Sequence, residues 1–199
     1  DSQGGLSTTR SYSTDLPVTV VAVADAPHLS AADAHGREDT PIPLSLAAAL
    51  ADVDGSETLS LRIYGVPDGA TLSAGTRQPD GSWVVPPAAL AGLSLTPPHD
   101  FSGAIPLSVT ATSTEARDGS VASTTLPFVV TVDPVADPGT MTAHGSGAED
   151  SWIPIQASFA TSDIDGSESI GPTTTISGVP AGATLNQGTQ VPCGAWQVS

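Results

Sequence analysis

The feature that most constrains this chain is an internal repeat. Residues 38–60, EDTPIPLSLAAALADVDGSETLS, return at 149–171 as EDSWIPIQASFATSDIDGSESIG, at a constant offset of 111. An insertion of two residues around Gly171-Pro172 moves the offset to 113, after which GVPDGATLSAGT faces GVPAGATLNQGT and Trp83 faces Trp196. Upstream, VAVADAP at 21–27 faces DPVADPG at 133–139. Three landmarks in the same order mark a tandem array of structural units. This frame divides the chain into residues 1–24, the last strands of a preceding unit; 25–136, a complete unit; and 137–199, the N-terminal half of the next. Since it begins abruptly without Met, the chain reads as an internal piece of something longer.

Within the complete unit, short Val/Ile/Leu/Thr segments alternate with turn residues. The 20 Gly and 18 Pro interrupt the chain too often for long helices. The pattern predicts strands at Ile42–Leu46, Thr58–Tyr64, Thr71–Ser73, Trp83–Val85, Ser94–Thr96, Ile105–Thr112 and Val121–Val132. In LSLRIYG, Leu59, Leu61 and Ile63 fall on one face. Asp118-Gly119 lies between two strand runs and predicts a hairpin, while VPPAALAGL accommodates one helical turn. The expected fold class is all-β: tandem antiparallel β-sandwiches of immunoglobulin-like or cadherin-like type, the second unit truncated.

Charge narrows the range of partners. The net charge is −16, with five Arg and no Lys, a balance that repels nucleic acid and anionic membranes and suits cations or brine. No run of 18 apolar residues occurs, and residues 1–10 lack the charged and apolar regions of a secretion signal, so no direct membrane insertion is expected. One cysteine, Cys193, permits no disulfide within the chain, so rigidity must come from another source.

The repeat also sorts the acids. Asp25/Asp137, Glu38/Glu149, Asp39/Asp150, Asp52/Asp163, Asp54/Asp165 and Glu57/Glu168 reappear at matching places. Asp68 faces Ala181, Asp80 faces Cys193 and Asp33 faces His144, while Asp100, Glu115 and Asp118 have no counterpart to compare. Glu38-Asp39 precedes the first predicted strand and the hexapeptide DVDGSE follows it, which places the two loops in one region or against neighbouring units. Carboxylates gathered without Lys or Arg repel one another, and a hard divalent cation removes that penalty. Ca²⁺ takes six to eight oxygens; Asp-x-Asp offers two carboxylates, the glycine permits a sharp turn, and Glu57 can close the site in bidentate fashion. The motif lacks the spacing of an EF-hand. The alternative is a solvated β-turn at Asp54-Gly55, or a halophile's general coat of acids.

Taken together, VADAP, EDTPIPLSLAAALADVDGSETLSLRI, GVPDGATLSAGT, LAGLSLTPPHDFSG and LSVTATSTE resemble the tandem immunoglobulin-like or cadherin-like repeats of large bacterial surface adhesins of the repeats-in-toxin (RTX) type. The resemblance covers nearly the whole chain. It implies an extracellular or cell-surface protein of attachment or biofilm formation, in which extender domains strung in series are stiffened by Ca²⁺ near their linkers. Carried over by position, the ligands would be Asp25, Glu38, Asp39, Asp52, Asp54 and Glu57, with Asp137, Glu149, Asp150, Asp163, Asp165 and Glu168 in the next unit. The partners implied are neighbouring repeats of the same chain and a cell-surface or matrix ligand held by other domains. The family's glycine-rich nonapeptide repeats are absent, and Trp152 stands where the first unit has Pro41.

Two other classes compete. His28, His35, His99 and His144 lie in no nucleophile or zinc spacing and read as solvated loop residues, and Cys193 reads as an incidental thiol. A catalytic pair of acids would not be expected to recur in tandem, so no enzyme activity is expected; a role as accessory domain of a secreted hydrolase is the weaker alternative. A carbohydrate-binding sandwich would present exposed aromatic rings. Trp83 and Trp196 are expected to pack in their units, which leaves Trp152 as the candidate ring.

Overall fold

The computed structural model describes residues 9–162 and 166–199. The first unit contains strands β1 (His28–Ala32), β2 (Ala34–Arg37), β3 (Ile42–Pro43), β4 (Ser45–Ala49), β5 (Glu57–Tyr64), β6 (Thr71–Leu72), β7 (Thr76–Arg77), β8 (Trp83–Val85), β9 (Ser94–Thr96), β10 (Gly103–Glu115) and β11 (Val121–Asp133). One sheet has the order β2-β11-β10-β5-β8-β7; β1-β4 and β3-β9-β6 form two smaller sheets. Ile42, Leu44, Leu46 and Leu95 from the smaller sheets meet Leu61, Ile63, Val85, Val109, Val130 and Val132 of the large one in a single buried cluster. The chain is all-β, built from several sheets packed in the manner of a β-sandwich. Alternation explains the layering: β10 turns Ile105, Leu107, Val109 and Ala111 inward and leaves Ser108, Thr110 and Thr112 on the outer face.

Several details depart from the pattern read in the sequence. The segment expected as one strand at 42–46 divides at Leu44, β3 pairing with β9 and β4 with β1. Pro43 has no N–H to extend the ladder, whereas Leu44 N donates to Leu93 O at 2.9 Å. β1 and β2 were not anticipated, because HLSAADAHGR carries no strong apolar alternation. At Asp33, between them, the chain changes sheets, and the Asp33 carboxylate accepts Val129 N at 2.8 Å. As a result β2 runs parallel to β11, an exception to the expected antiparallel pairing. The helical turn appears as a 3₁₀ turn at Pro87–Ala89. Residues 9–24 form no strand: among the described residues they have no strand partner, and Leu16, Val18, Val20 and Val23 are 67–82% exposed.

The second unit repeats the opening of the first. β12 (Thr140–Gly145) pairs with β13 (Ile155–Ala160) as β1 pairs with β4, and β14 (Thr174–Ile176), β16 (Trp196–Val198) and β15 (Thr189–Gln190) share a sheet as β5, β8 and β7 do. Gly75 stands at φ +101 with a would-be Cβ 2.7 Å from Val84 O, and Gly188, its repeat partner, has φ +94. Core positions differ sharply in exposure. Ile42 and Leu44 are 1% and 7% exposed, their partners Ile153 and Ile155 44% and 52%. In the first unit Ile42 and Leu44 share their buried cluster with residues of β10 and β11.

Candidate metal centre

Two groups of acids lie at opposite ends of β10, whose 13 residues span about 40 Å at the rise of an antiparallel strand. The first group surrounds the linker that follows β11. Glu38, immediately after β2, is 2% exposed, and its carboxylate accepts Val135 N in a short hydrogen bond. Asp39 follows in a left-handed conformation, φ 55, and Asp100, in the loop between β9 and β10, has φ 53. Asp100 N donates to Asp39 Oδ1 at 3.2 Å, and His99 Nδ1 lies 2.7 Å from Asp100 Oδ1. One ligand atom from each of Asp39, His99 and Asp100 lies within 4.8 Å of the others.

Asp137 joins this group from the linker. Desolvation raises its pKa first, followed by the charges of Asp100, Asp39 and Glu168 and by a hydrogen bond with Asp100. Its Oδ2 is buried without a hydrogen-bond partner among the described residues. The pKa of His99 is also raised, chiefly by its hydrogen bond to Asp100 and the charge of that carboxylate, then by Asp39 and, least, by Asp137. Asp137 N donates to the Glu168 carboxylate, so the cluster draws together one unit, the linker and the next unit.

The second group surrounds the linker that precedes β1. Asp25 N donates to Glu57 Oε1 at 2.7 Å, repeating the Asp137–Glu168 contact one unit earlier. Glu57 and Glu115 stand opposite one another across β5 and β10 and are 7% and 2% exposed. Arg117 N donates to Glu115 Oε1 at 3.1 Å, and Ala24 N to Ser120 Oγ at 3.0 Å. Glu57 Oε2 is buried with no donor among the described residues. Among the described residues, no Arg or His forms an ion pair with Glu57 or Glu115. Two buried carboxylates without a counter-charge are unfavourable, and an oxygen-seeking cation fits the donor set.

The structure therefore distributes the repeated acids of one unit between two places. Glu38 and Asp39 stand with the following linker, Glu57 with the preceding one. Asp52 and Asp54 occupy a local turn: Asp54 N donates to Asp52 Oδ1 at 2.9 Å and Ser56 N to Asp54 Oδ1 at 2.7 Å. The bonds from the Ser56 side chain and then its backbone lower the pKa of Asp54. Asp163 and Asp165 lie outside the described residues. Glu149 and Asp150 are exposed, and Asp150 keeps the left-handed conformation of Asp39 at φ 57. Asp100, His99 and Glu115 were not among the expected ligands. The repeat offers no counterpart against which to test the two acids, and the sequence around His99 reads as a solvated loop.

Trp83 is 9% exposed, whereas Trp152 is 73% exposed, and Cys193 is exposed. An open groove of about 580 Å³ runs along the linker and the second unit, lined by residues including Asp137, Met141, Phe159, Glu168 and Ile170. No described helix is long and apolar enough to cross a membrane. The chain matches no family model, no curated protein and no solved structure.

Proposed function

We propose that this chain carries one complete and one truncated immunoglobulin-like or cadherin-like extender unit from a large bacterial surface adhesin of the repeats-in-toxin type, stiffened at their joints by Ca²⁺. One observation carries the reading: a linker aspartate donates its N–H to the glutamate of the following DxDGSE hexapeptide at both joints, Asp25 to Glu57 and Asp137 to Glu168. Each contact fixes the linker against the unit that follows. At the second joint Asp39 and Asp100 of the preceding unit come to the same place. Glu57, Glu115 and Asp25 would hold one cation, and Asp39, Asp100, Asp137 and Glu168 another. When bound, Ca²⁺ supplies charge neutralisation; the residues supply orientation, since their backbone links three consecutive segments of the chain. The role is mechanical, without catalysis. Its setting is extracellular, with neighbouring repeats as direct partners and a cell-surface or matrix ligand held elsewhere in the parent protein.

The test is thermal unfolding and small-angle scattering of the chain in EDTA and in millimolar Ca²⁺. The reading expects a higher melting temperature and a longer, narrower particle with Ca²⁺; superimposable curves in both experiments would overturn it. A second reading, a carbohydrate-binding module, has the exposed ring of Trp152 in its favour. A glycan array in which Trp152→Ala abolishes a signal would support it.

A further inference from the structure

Ser113 is a hydroxyl in the core of the first unit. It is 0% exposed, and its Oγ has no hydrogen-bond partner among the described residues. Buried hydroxyls are normally paired, so an orphan calls for a physical reason. We propose that Ser113 Oγ is the inner, neutral ligand of the cation held by Glu57 and Glu115, and that it makes this site selective for Ca²⁺ over Mg²⁺. The proposal rests on the reading of this joint as a cation site and names the residue that sets its preference.

The register places this hydroxyl beside the two acids. Along β10, Ser113 and Glu115 hold successive inward positions, about 7 Å apart at the rise of an antiparallel strand. Across the sheet Ser113 stands opposite Leu59 on β5 and Ala122 on β11, and Glu115 stands opposite Glu57. Ala111 is the next inward residue on the other side. Among these neighbours on the sheet, only Glu115 and, on the diagonal, Glu57 carry polar side chains. Glu57 Oε1 accepts Asp25 N and Glu115 Oε1 accepts Arg117 N, whereas Glu57 Oε2 is buried and, like Ser113 Oγ, has no partner among the described residues. A cation bonded to both orphaned oxygens satisfies them together and leaves the serine proton to an adjacent carboxylate. Size then decides which cation. Ca²⁺ takes six to eight oxygens at about 2.3–2.6 Å in adaptable geometry, while Mg²⁺ demands six at about 2.0–2.1 Å and dehydrates reluctantly. Ligand atoms on opposite sides of the ion therefore stand up to about 5 Å apart for Ca²⁺ and about 4 Å for Mg²⁺. Ser113 has a single carbon between backbone and oxygen, and its strand is paired on both sides. It cannot advance on the smaller ion.

The experiment is calorimetric titration of the 199-residue chain with Ca²⁺ and, separately, with Mg²⁺, beside thermal melting in EDTA and in millimolar Ca²⁺. Ser113→Ala should weaken the Ca²⁺ affinity of one site about tenfold and leave Mg²⁺ binding unchanged, so that the preference for Ca²⁺ narrows. In EDTA the same variant should melt no lower than the parent, because it removes a buried hydroxyl that has no partner. A deficit seen only with Ca²⁺ is then a loss of binding and not of fold. Ser113→Cys keeps nearly the same size and offers sulfur, a poor ligand for Ca²⁺, so it should lose Ca²⁺ in the same way. Ca²⁺ isotherms and melting shifts unchanged in both variants overturn the proposal and leave the cation reading standing, and equal losses of Ca²⁺ and Mg²⁺ overturn the selectivity. If the unmutated chain neither binds Ca²⁺ nor gains stability from it, the cation reading itself falls and this inference with it.

Discussion

Glu57→Gln reverses its sign with calcium. Glu57 and Glu115 are direct partners across β5 and β10 with 7% and 2% exposure, and among the described residues no cationic side chain forms an ion pair with either. Directly opposed residues of an antiparallel pair have Cβ atoms about 5 Å apart, and two charges at that separation with an effective dielectric of 20 would repel by about 3 kcal/mol. Gln keeps the carbonyl oxygen that accepts Asp25 N and turns its amide toward Glu115, exchanging repulsion for a hydrogen bond. Part of that gain is lost in burying a second polar group, so about 1 kcal/mol of net stabilisation is expected in EDTA, or about 4 °C for a unit of this size. With Ca²⁺ the balance changes. A site of Kd about 10⁻⁴ to 10⁻³ M, typical of extracellular modules, contributes about 1.4–2.7 kcal/mol at 10 mM Ca²⁺, a rise of about 6–12 °C, and Gln removes a charged ligand from it. Differential scanning calorimetry of both proteins in EDTA and in 10 mM Ca²⁺ should show the variant melting higher than the parent without calcium and lower with it. A variant that melts lower in EDTA and keeps the full calcium shift refutes both the buried repulsion and the site.

The core should be indifferent to metal. Leu95, fully buried in the small sheet, should lose about 2–5 kcal/mol on replacement by Ala, with the same loss in EDTA and in Ca²⁺ when measured by urea denaturation. The second joint should respond to protons. The folded pKa values of Asp137 and His99 are both raised from 3.8 and 6.5, so the stability each contributes is fully present below its unfolded value and lost as pH rises through the folded one. In EDTA, hydrogen exchange of Asp137 N–H should therefore slow from pH 8 to pH 5 once corrected for the intrinsic rate, and in Ca²⁺ that dependence should weaken or invert; an unchanged protection factor in EDTA would contradict it.

The fold was legible where the code is local. β8 and β9 match the expected bounds, and β5, β10 and β11 extend them by one to three residues at an end, because alternation and the Asp-Gly turn specify hairpins between near neighbours. β1 and β2 were not legible. Their short run of Ala, His and Gly has almost no apolar contrast, and their pairing with β4 and β11 is set by strands distant in sequence. The break at Leu44 has a similar cause: a change of sheet depends on which layer receives the next side chain, and one apolar run serves either layer.

The site was legible in composition and not in partnership, and the reason lies in the inner rows of two strands. Following the alternation of Leu59, Leu61 and Ile63 back by one step reaches Glu57; following Ile105, Leu107, Val109 and Ala111 forward reaches Ser113 and then Glu115. An acid at the end of a buried period-two row occupies a core position without core chemistry. That signal was present in both strands, yet each row alone gives one buried carboxylate; the register Glu115↔Glu57 makes them a pair. Asp100 has no such row, since it lies in a loop and meets Asp39 through a turn conformation that the sequence states weakly. Repetition singled out Asp25, Glu57, Asp137 and Glu168, which hold the linkers. Glu115, His99 and Asp100 come from the half of the unit that the sequence contains once. Repetition thus identifies the residues that return at both joints, and it has nothing to compare for those that the sequence contains once.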